Sequence, residues 1–219
     1  MRRTVTPELL DADLGSPREV QQSLADLRRI NRWFGGISTS LALIRNAVRR
    51  AGLTKISVLD VGSGSGDVPL GVAARLRREG VPVDVTLLDR QASHLPPGMP
   101  AVVGDALHLP FLDDSFDFVT SSLFLHHFEP EEITRLVGSA LRVARHAVII
   151  NDLVRSRTHL ALIYAGLPLF RSPLTRHDAA ASVRRAYTPR EIRHIVSAHG
   201  SRLEISRHYL FRMGITLWK

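Results

Sequence analysis

Cysteine is absent from the 219 residues, which excludes disulfides, thiolate metal sites and a thiol nucleophile. Lysine is nearly absent as well. Lys55 and Lys219 are the only two, so arginine carries almost all of the positive side of a formal net charge of +8. A balance of that sign invites an anionic partner. The arginines are scattered, however, with short pairs at Arg28-Arg29, Arg49-Arg50, Arg77-Arg78 and Arg184-Arg185 that solvated helix faces explain. This speaks against nucleic acid as the partner. Long apolar runs are also missing: the longest, near Leu160 to Phe170, is too short to cross a bilayer, so no membrane span is expected. Met1-Arg2-Arg3-Thr4-Val5-Thr6 leads into polar sequence without the apolar stretch of a secretory leader, and a cytoplasmic location is expected. With 44% hydrophobic residues and no repeat or low-complexity tract, the length suits one globular domain with short additions.

Two helices are expected before the core. Ser16-Pro17-Arg18-Glu19 is a capping box with proline at the first helical position. The spacing of Val20, Leu24, Leu27, Ile30 or Asn31, and Phe34 gives the first helix one apolar face, and Gly35-Gly36 should stop it. A second helix through Leu41, Ile44, Val48 and Ala51 should end at Gly52. Residues 1–54 read as a helical cap, either a lid over a site or a shield for a sheet edge. Residues 55–219 read as the core. Strands are expected near 56–61, 83–88, 101–103, 116–121 and 146–151, with helices near 67–79 and 130–142 and an irregular turn near 91–95. Residues 153–187 interrupt the alternation like an insertion. Thr188-Pro189-Arg190-Glu191 is a second capping box, opening a helix expected to end at Gly200, and strands near 202–208 and 210–218 follow. The fold class expected is α/β: a Rossmann-like, doubly wound, seven-stranded sheet, mostly parallel with the last strand antiparallel, and helices on both faces.

Ligands of such sheets bind outside the carboxyl ends of the strands, and the sequence is richest there. Val58-Leu59-Asp60-Val61-Gly62-Ser63-Gly64-Ser65-Gly66 is a buried strand, an acid at its tip, then glycines at alternate positions opening a helix. It is neither a dinucleotide fingerprint, since Asp67 follows Gly66, nor a phosphate loop, since Gly-Lys-Ser/Thr is missing. A second strand ends in Asp89, 23 residues beyond Gly66, close to the spacing of about 20 at which an acid grips ribose hydroxyls. Gly104-Asp105-Ala106 follows the third strand, and Ser115-Phe116-Asp117-Phe118-Val119 leads into Leu123-Phe124-Leu125-His126-His127-Phe128. Asp117 itself reads as a structural carboxylate.

This pattern resembles motif I and the following strand tips of the class I S-adenosylmethionine (SAM) methyltransferases. The resemblance is firm over 56–152, general over 188–219 and weak elsewhere. It implies SAM as cofactor and S-adenosylhomocysteine (SAH) as product. It implies that Asp60 orients the amino end of SAM, that Gly62, Gly64 and Gly66 make room for it, and that Asp89 holds the ribose. Asp105 and Ala106 would read the adenine, with Arg90 and Ser122 also on the cofactor side.

Methyl transfer needs alignment, and a base only where the acceptor must lose a proton. His126 after the fourth strand and Asp152 after the fifth lie on adjacent strands and can meet as a catalytic base and its orienter. Their separation of 26 residues resembles that of the His–Asp dyad in small-molecule O-methyltransferases. Packing of His126 against the cofactor alone is the other reading. Cation-dependent O-methyltransferases carry Asp after strand four and Asp-Asn after strand five. Here Ser121-Ser122 stands in the first place, and only Asn151-Asp152 imitates the second, so no metal is expected. The missing cysteine excludes the thiol route to pyrimidine C5. Ser121-Ser122-Leu123-Phe124 departs from the Asn/Asp-Pro-Pro-Tyr/Phe phrase of base-amino methyltransferases.

Apolar His159 to Phe170 can wall a pocket or simply dock on the sheet. Thr175-Arg176-His177-Asp178-Ala179-Ala180-Ala181-Ser182-Val183-Arg184-Arg185-Ala186-Tyr187, with Ile150-Asn151-Asp152-Leu153-Val154-Arg155, resembles bacterial small-molecule methyltransferases. These are related to the ubiquinone/menaquinone-pathway C-methyltransferases. The acceptor-side candidates are therefore His127, His177, Asp178, Arg184 and Tyr187. The expected acceptor is a small aromatic, quinone or polyketide-like molecule, more readily methylated at oxygen. A homodimer is compatible with the sequence. The competing readings are an RNA methyltransferase, which needs a contiguous basic face, and a catalytically silent partner subunit of the same fold.

Overall fold

The computed structural model of the chain describes residues 1–10, 14–199 and 202–219. Ser16 caps helix α1 (Pro17–Trp33) through a reciprocal capping box with Glu19. Helix α2 (Gly36–Ala51) follows at once. Phe34 and Gly35 separate the two helices, Gly35 in the left-handed region at φ +84°; Gly36 is the first residue of α2, seated so close to Asn31 that no Cβ fits. The expectation that both glycines stop the helix is corrected accordingly. Phe34, just past the end of α1, is exposed but lies on the same side as Leu24, Leu27 and Ile30. Left-handed Gly52 ends α2.

Seven strands form one sheet: β1 (Ile56–Val61), β2 (Val83–Asp89), β3 (Ala101–Val103), β4 (Phe116–Ser122), β5 (Ala144–Leu153), β6 (Arg202–His208) and β7 (Arg212–Trp218). Their order is β3-β2-β1-β4-β5-β7-β6, with β7 the antiparallel member, inserted between β5 and β6. Helices α3 (Asp67–Arg78) and α2 cover one face, where Val72, Leu76, Ile44 and Val48 meet Val58, Val85 and Phe118. Helices α4 (Pro130–Val143) and α7 (Pro189–Val196) cover the other, with Ile133, Val137, Ile192 and Val196 against Leu59, Val119 and Ile215. Residues buried on both sides explain the nearly continuous apolar β1 and β5. The expected stop of the last helix at Gly200 lies outside the described residues; a 3-10 turn, Ser197–His199, follows α7.

Asp117 is structural: its carboxylate accepts from the Ser57 N–H and hydroxyl across β1 and β4 and pairs with Arg145 at 2.6 Å. The interruption after β5 contains α5 (Arg157–Gly166) and α6 (Pro173–Arg185). These pack with α1 over the carboxyl ends of the strands, and α1 also meets α2 and α3. The last strand begins at Arg212 rather than 210, because Tyr209 to Phe211 form the hairpin turn. Among the described residues no helix is long and apolar enough to cross a membrane.

Candidate active site

A cavity of about 950 Å³ opens between the strand ends and the cover of α1, α5 and α6. That volume lies at the upper end for small-molecule sites. One end is made by the turn after β1. Gly62 and Ser63 donate their N–H groups to the Leu88 carbonyl, which docks the turn on β2. Gly62 holds φ +69° against the Phe124 ring, where a Cβ would overlap the aromatic carbons; Gly64, at φ +52°, faces open space. The Asp89 carboxylate accepts from the Gly64 N–H at 2.7 Å and from the Gln91 N–H at 2.9 Å. Asp105 accepts from the Leu107 N–H at 2.9 Å, a bond that holds its carboxyl below the usual range. Arg90, Ala106 and Ser122 line the same end, and the Ser122 hydroxyl meets that of Ser40 on α2 at 3.2 Å.

Asp60 does not line the cavity. It is buried below the turn, where its Oδ1 accepts the Thr120 hydroxyl at 2.6 Å, and burial pushes its carboxyl up to about 7.

The other end is built around two histidines. Leu123, held at φ 57° and bonded through its N–H to the Asn151 carbonyl, turns the chain out of β4 into the 3-10 turn Leu125–His127. Successive strand residues face opposite sides. Asn151 therefore points to α2, donating to the Gly36 carbonyl and Ser40, while Asp152 points to His126. The His126 Nδ1 lies 2.7 Å from Asp152 Oδ1, its backbone N–H donates to Oδ2, and both residues are 2% exposed. So the sequence-derived pair is brought together, with His126 on the cavity wall and Asp152 behind it.

A third group, which the sequence reading missed, completes it. Glu8 of the N-terminal segment places Oε1 3.5 Å from His126 Nε2 and Oε2 3.9 Å from His127 Nε2, with Arg185 4.0 Å away. Among the described residues neither Glu8 Oε1 nor His126 Nε2 has a hydrogen-bond partner. Burial works against a charged imidazole, but Asp152 and then Glu8 outweigh it and push His126 up to about 10. In return, burial of Glu8 is outweighed by His126 and His127, and its carboxyl is drawn down to about 2. Asp152 is likewise held below the carboxylate range against its burial. The ligand atoms of Glu8, His126 and His127 lie within 4.8 Å of one another and could surround a cation, but charge pairing already accounts for the arrangement.

The remaining acceptor-side candidates divide. His127 and Asp178 line the cavity; His177, Arg184 and Tyr187 do not. Asp178 accepts from the Leu9 and Leu10 N–H groups, so it anchors the segment that carries Glu8. Tyr187 is buried, donates its hydroxyl to the Phe128 carbonyl and carries Arg3 over its ring at 4.4 Å. Arg184 bonds the Tyr164 hydroxyl, and exposed His177 leans on Asp178. Helix α1 contributes Leu27, Ile30 and Trp33 to the wall, Phe34 follows just after it, and α5 contributes Leu162 and Ile163; α2 contributes none.

Residues 58–147 match the profile of a methyltransferase domain family. The match spans less than half of the chain and marks the protein as an enzyme. A comparison with curated protein sequences finds no match. Among solved structures the domain and its cover are similar to the plantazolicin methyltransferase BpumL in complex with a pentazolic desmethylPZN analog and SAH. That likeness has 14% identity, spans 97% of this chain and 95% of that one, and has a TM-score of 0.73. Magnesium protoporphyrin IX methyltransferase (ChlM) from Synechocystis PCC 6803 with bound SAH is similar at 15% identity, over 85% and 84% of the two chains, with a TM-score of 0.57. A SAM-dependent methyltransferase from Aquifex aeolicus is similar at 16% identity over 78% and 87%, with a TM-score of 0.54. At these identities the likeness establishes the methyltransferase fold.

Proposed function

We propose that the enzyme transfers the methyl group of SAM to a small aromatic, quinone or polyketide-like acceptor, at oxygen, with His126 and Asp152 as the proton-accepting pair. The single observation that carries this reading is the buried His126–Asp152 pair, whose His126 lines a cavity with the glycine turn at its far end. That end suits SAM: open space above left-handed Gly64, backbone N–H groups at the start of α3, and the carboxylates of Asp89 and Asp105 at two strand tips. Bound there, SAM supplies an activated methyl group for in-line displacement.

The chain's own part is to align, to exclude water and to take a proton. Asp152 fixes the imidazole through Nδ1 and leaves Nε2 toward the cavity. While Glu8 faces it, His126 holds a proton at neutral pH. The acceptor hydroxyl has to take the place of Glu8 before Nε2 can accept its proton. α1 serves as a lid in this reading, since its Leu27, Ile30 and Trp33, with Phe34 just beyond, wall the cavity.

The test is calorimetric titration with SAM and SAH, followed by methyl acceptance with phenols and hydroxyquinones. Micromolar SAH binding with transfer to a phenol supports the reading. Folded protein that binds neither SAM nor SAH sinks the donor assignment.

A further inference from the structure

Arg212 stands apart from the other charges of the cavity. It is 2% exposed and lines the cavity wall, yet among the described residues no carboxylate lies within ion-pair distance of it. Its Nε donates to the Phe34 carbonyl at 3.1 Å, and Nη1 is buried with no hydrogen-bond partner among the described residues. Asp152 offsets its charge only from farther away, and burial draws the guanidinium down to about 10, so it stays charged at neutral pH. A buried cation with an unfilled donor is costly, and a ligand that accepts from it removes that cost.

The surrounding chain is arranged to present this side chain. Leu210 and Phe211 both adopt left-handed backbone, φ 54° and 60°, a costly conformation for bulky residues, in the turn immediately before Arg212. Phe211 is fixed by stacking on His159 at 4.9 Å. Gly35 gives the Arg212 stem passage: a Cβ there would lie 3.2 Å from Arg212 Cγ.

We infer that Arg212 binds a carboxylate of the methyl acceptor, so that the acceptor is an organic acid; this rests on the donor and acceptor ends proposed above. The planar guanidinium fork matches a carboxylate, and the apolar walls from Leu162, Phe34 and Trp33 suit its hydrocarbon part. Position favours the acceptor over the carboxylate of SAM itself. β7 lies three strand spacings from β1, roughly 14 Å from the glycine turn, and next to Asp152 across β5.

The experiment uses the whole chain and two probes of one shape, 2-naphthoate and its neutral isostere 2-naphthamide, titrated with and without saturating SAH. The wild type is expected to prefer the acid by about tenfold. Arg212→Gln should bring the ratio to about one while changing SAH affinity less than about twofold, and Arg212→Lys should keep part of the preference. Equal binding of the two probes by the wild type overturns the inference, whatever the variants do. So does a preference that survives in Arg212→Gln. A roughly tenfold loss of SAH affinity in Arg212→Gln, with the acid preference intact, assigns Arg212 to the donor carboxylate and also overturns it. If the wild type fails to bind SAH, the donor reading falls, while the acid-to-amide ratio without SAH still decides the role of Arg212.

Discussion

At the glycine end of the cavity, polar groups meet over short stretches of chain or between neighbouring strands. Asp89 takes the N–H groups of Gly64 and Gln91, and Asp105 takes that of Leu107. At the histidine end, charges arrive from distant segments: Glu8 before α1, His126 after β4, Asp152 on β5, Arg185 on α6 and Arg212 on β7. The difference is physical. Backbone donors with local acceptors form separable contacts, whereas buried charges compensate one another and lose that compensation together. Substitutions at the first end should change ligand affinity locally; substitutions at the second should change activity, stability and pH response at once.

His126→Ala is expected to have the largest effect. It removes the proposed proton acceptor, which should lower kcat by about 10³-fold. It also leaves Glu8 and Asp152 buried without their shared partner, which costs about 3 kcal/mol of stability. SAH affinity should stay within about threefold of the wild type, because the glycine turn lies elsewhere. Kinetics, urea unfolding and SAH titration check the three parts. Turnover equal to the wild type removes the base role.

The two neighbouring glycines sharpen the contrast from the other side. Gly62→Ala drives a methyl group into the Phe124 ring and strains a left-handed residue, so stability should fall by about 3 kcal/mol. Gly64→Ala meets open space and should cost only about 1 kcal/mol for its backbone. Its methyl group would fill the proposed cradle, and SAH affinity should fall at least about tenfold. Thermal unfolding and SAH titration of the pair read this directly. Equal SAH affinity in Gly64→Ala and the wild type would place the donor elsewhere.

Glu8→Gln tests the coupling at the histidine end. A base acts in its unprotonated form, so kcat/KM declines as pH falls through the pKa of His126 in the free enzyme. Neutralising Glu8 removes one of the charges that push that pKa up, so the limb should move to lower pH and kcat/KM at neutral pH should rise. The limb of kcat reports the complex with acceptor, in which the proposed reading has Glu8 displaced, and should coincide in the two proteins. A limb unchanged in kcat/KM would show that Glu8 does not govern His126 in solution.

The same contrast decides what the amino-acid sequence makes legible. The strand tips carrying Asp89 and Asp105, and the glycines between Val61 and Asp67, are consecutive residues with local periodicity, so strand, turn and helix could be placed within a residue or two. The dyad was legible because adjacent strands of a known order bring His126 and Asp152 together. Glu8 and Arg212 left no such trace. One sits in a segment without periodicity, and the other looks like an ordinary strand residue whose burial depends on a left-handed turn at Leu210 and Phe211. Asp178 drew notice as a binding residue, but backbone groups of Leu9 and Leu10 meet its carboxylate first, a long-range closure no local pattern encodes.

That closure supports the smallest expected effects. Asp178→Ala frees the N–H groups of Leu9 and Leu10 and loosens the segment that holds Glu8 beside His126. Arg3 still grips Glu129 and Tyr187, so the release is partial. The kcat/KM limb should therefore shift in the direction of Glu8→Gln, but less. His177→Ala removes only an exposed side chain leaning on Asp178 from outside the cavity. It should leave kcat/KM within about twofold and stability within about 0.5 kcal/mol. Should His177→Ala instead raise KM for the acceptor tenfold while Asp178→Ala leaves the limb unmoved, α6 would be an acceptor-binding element rather than the anchor of the N-terminal segment.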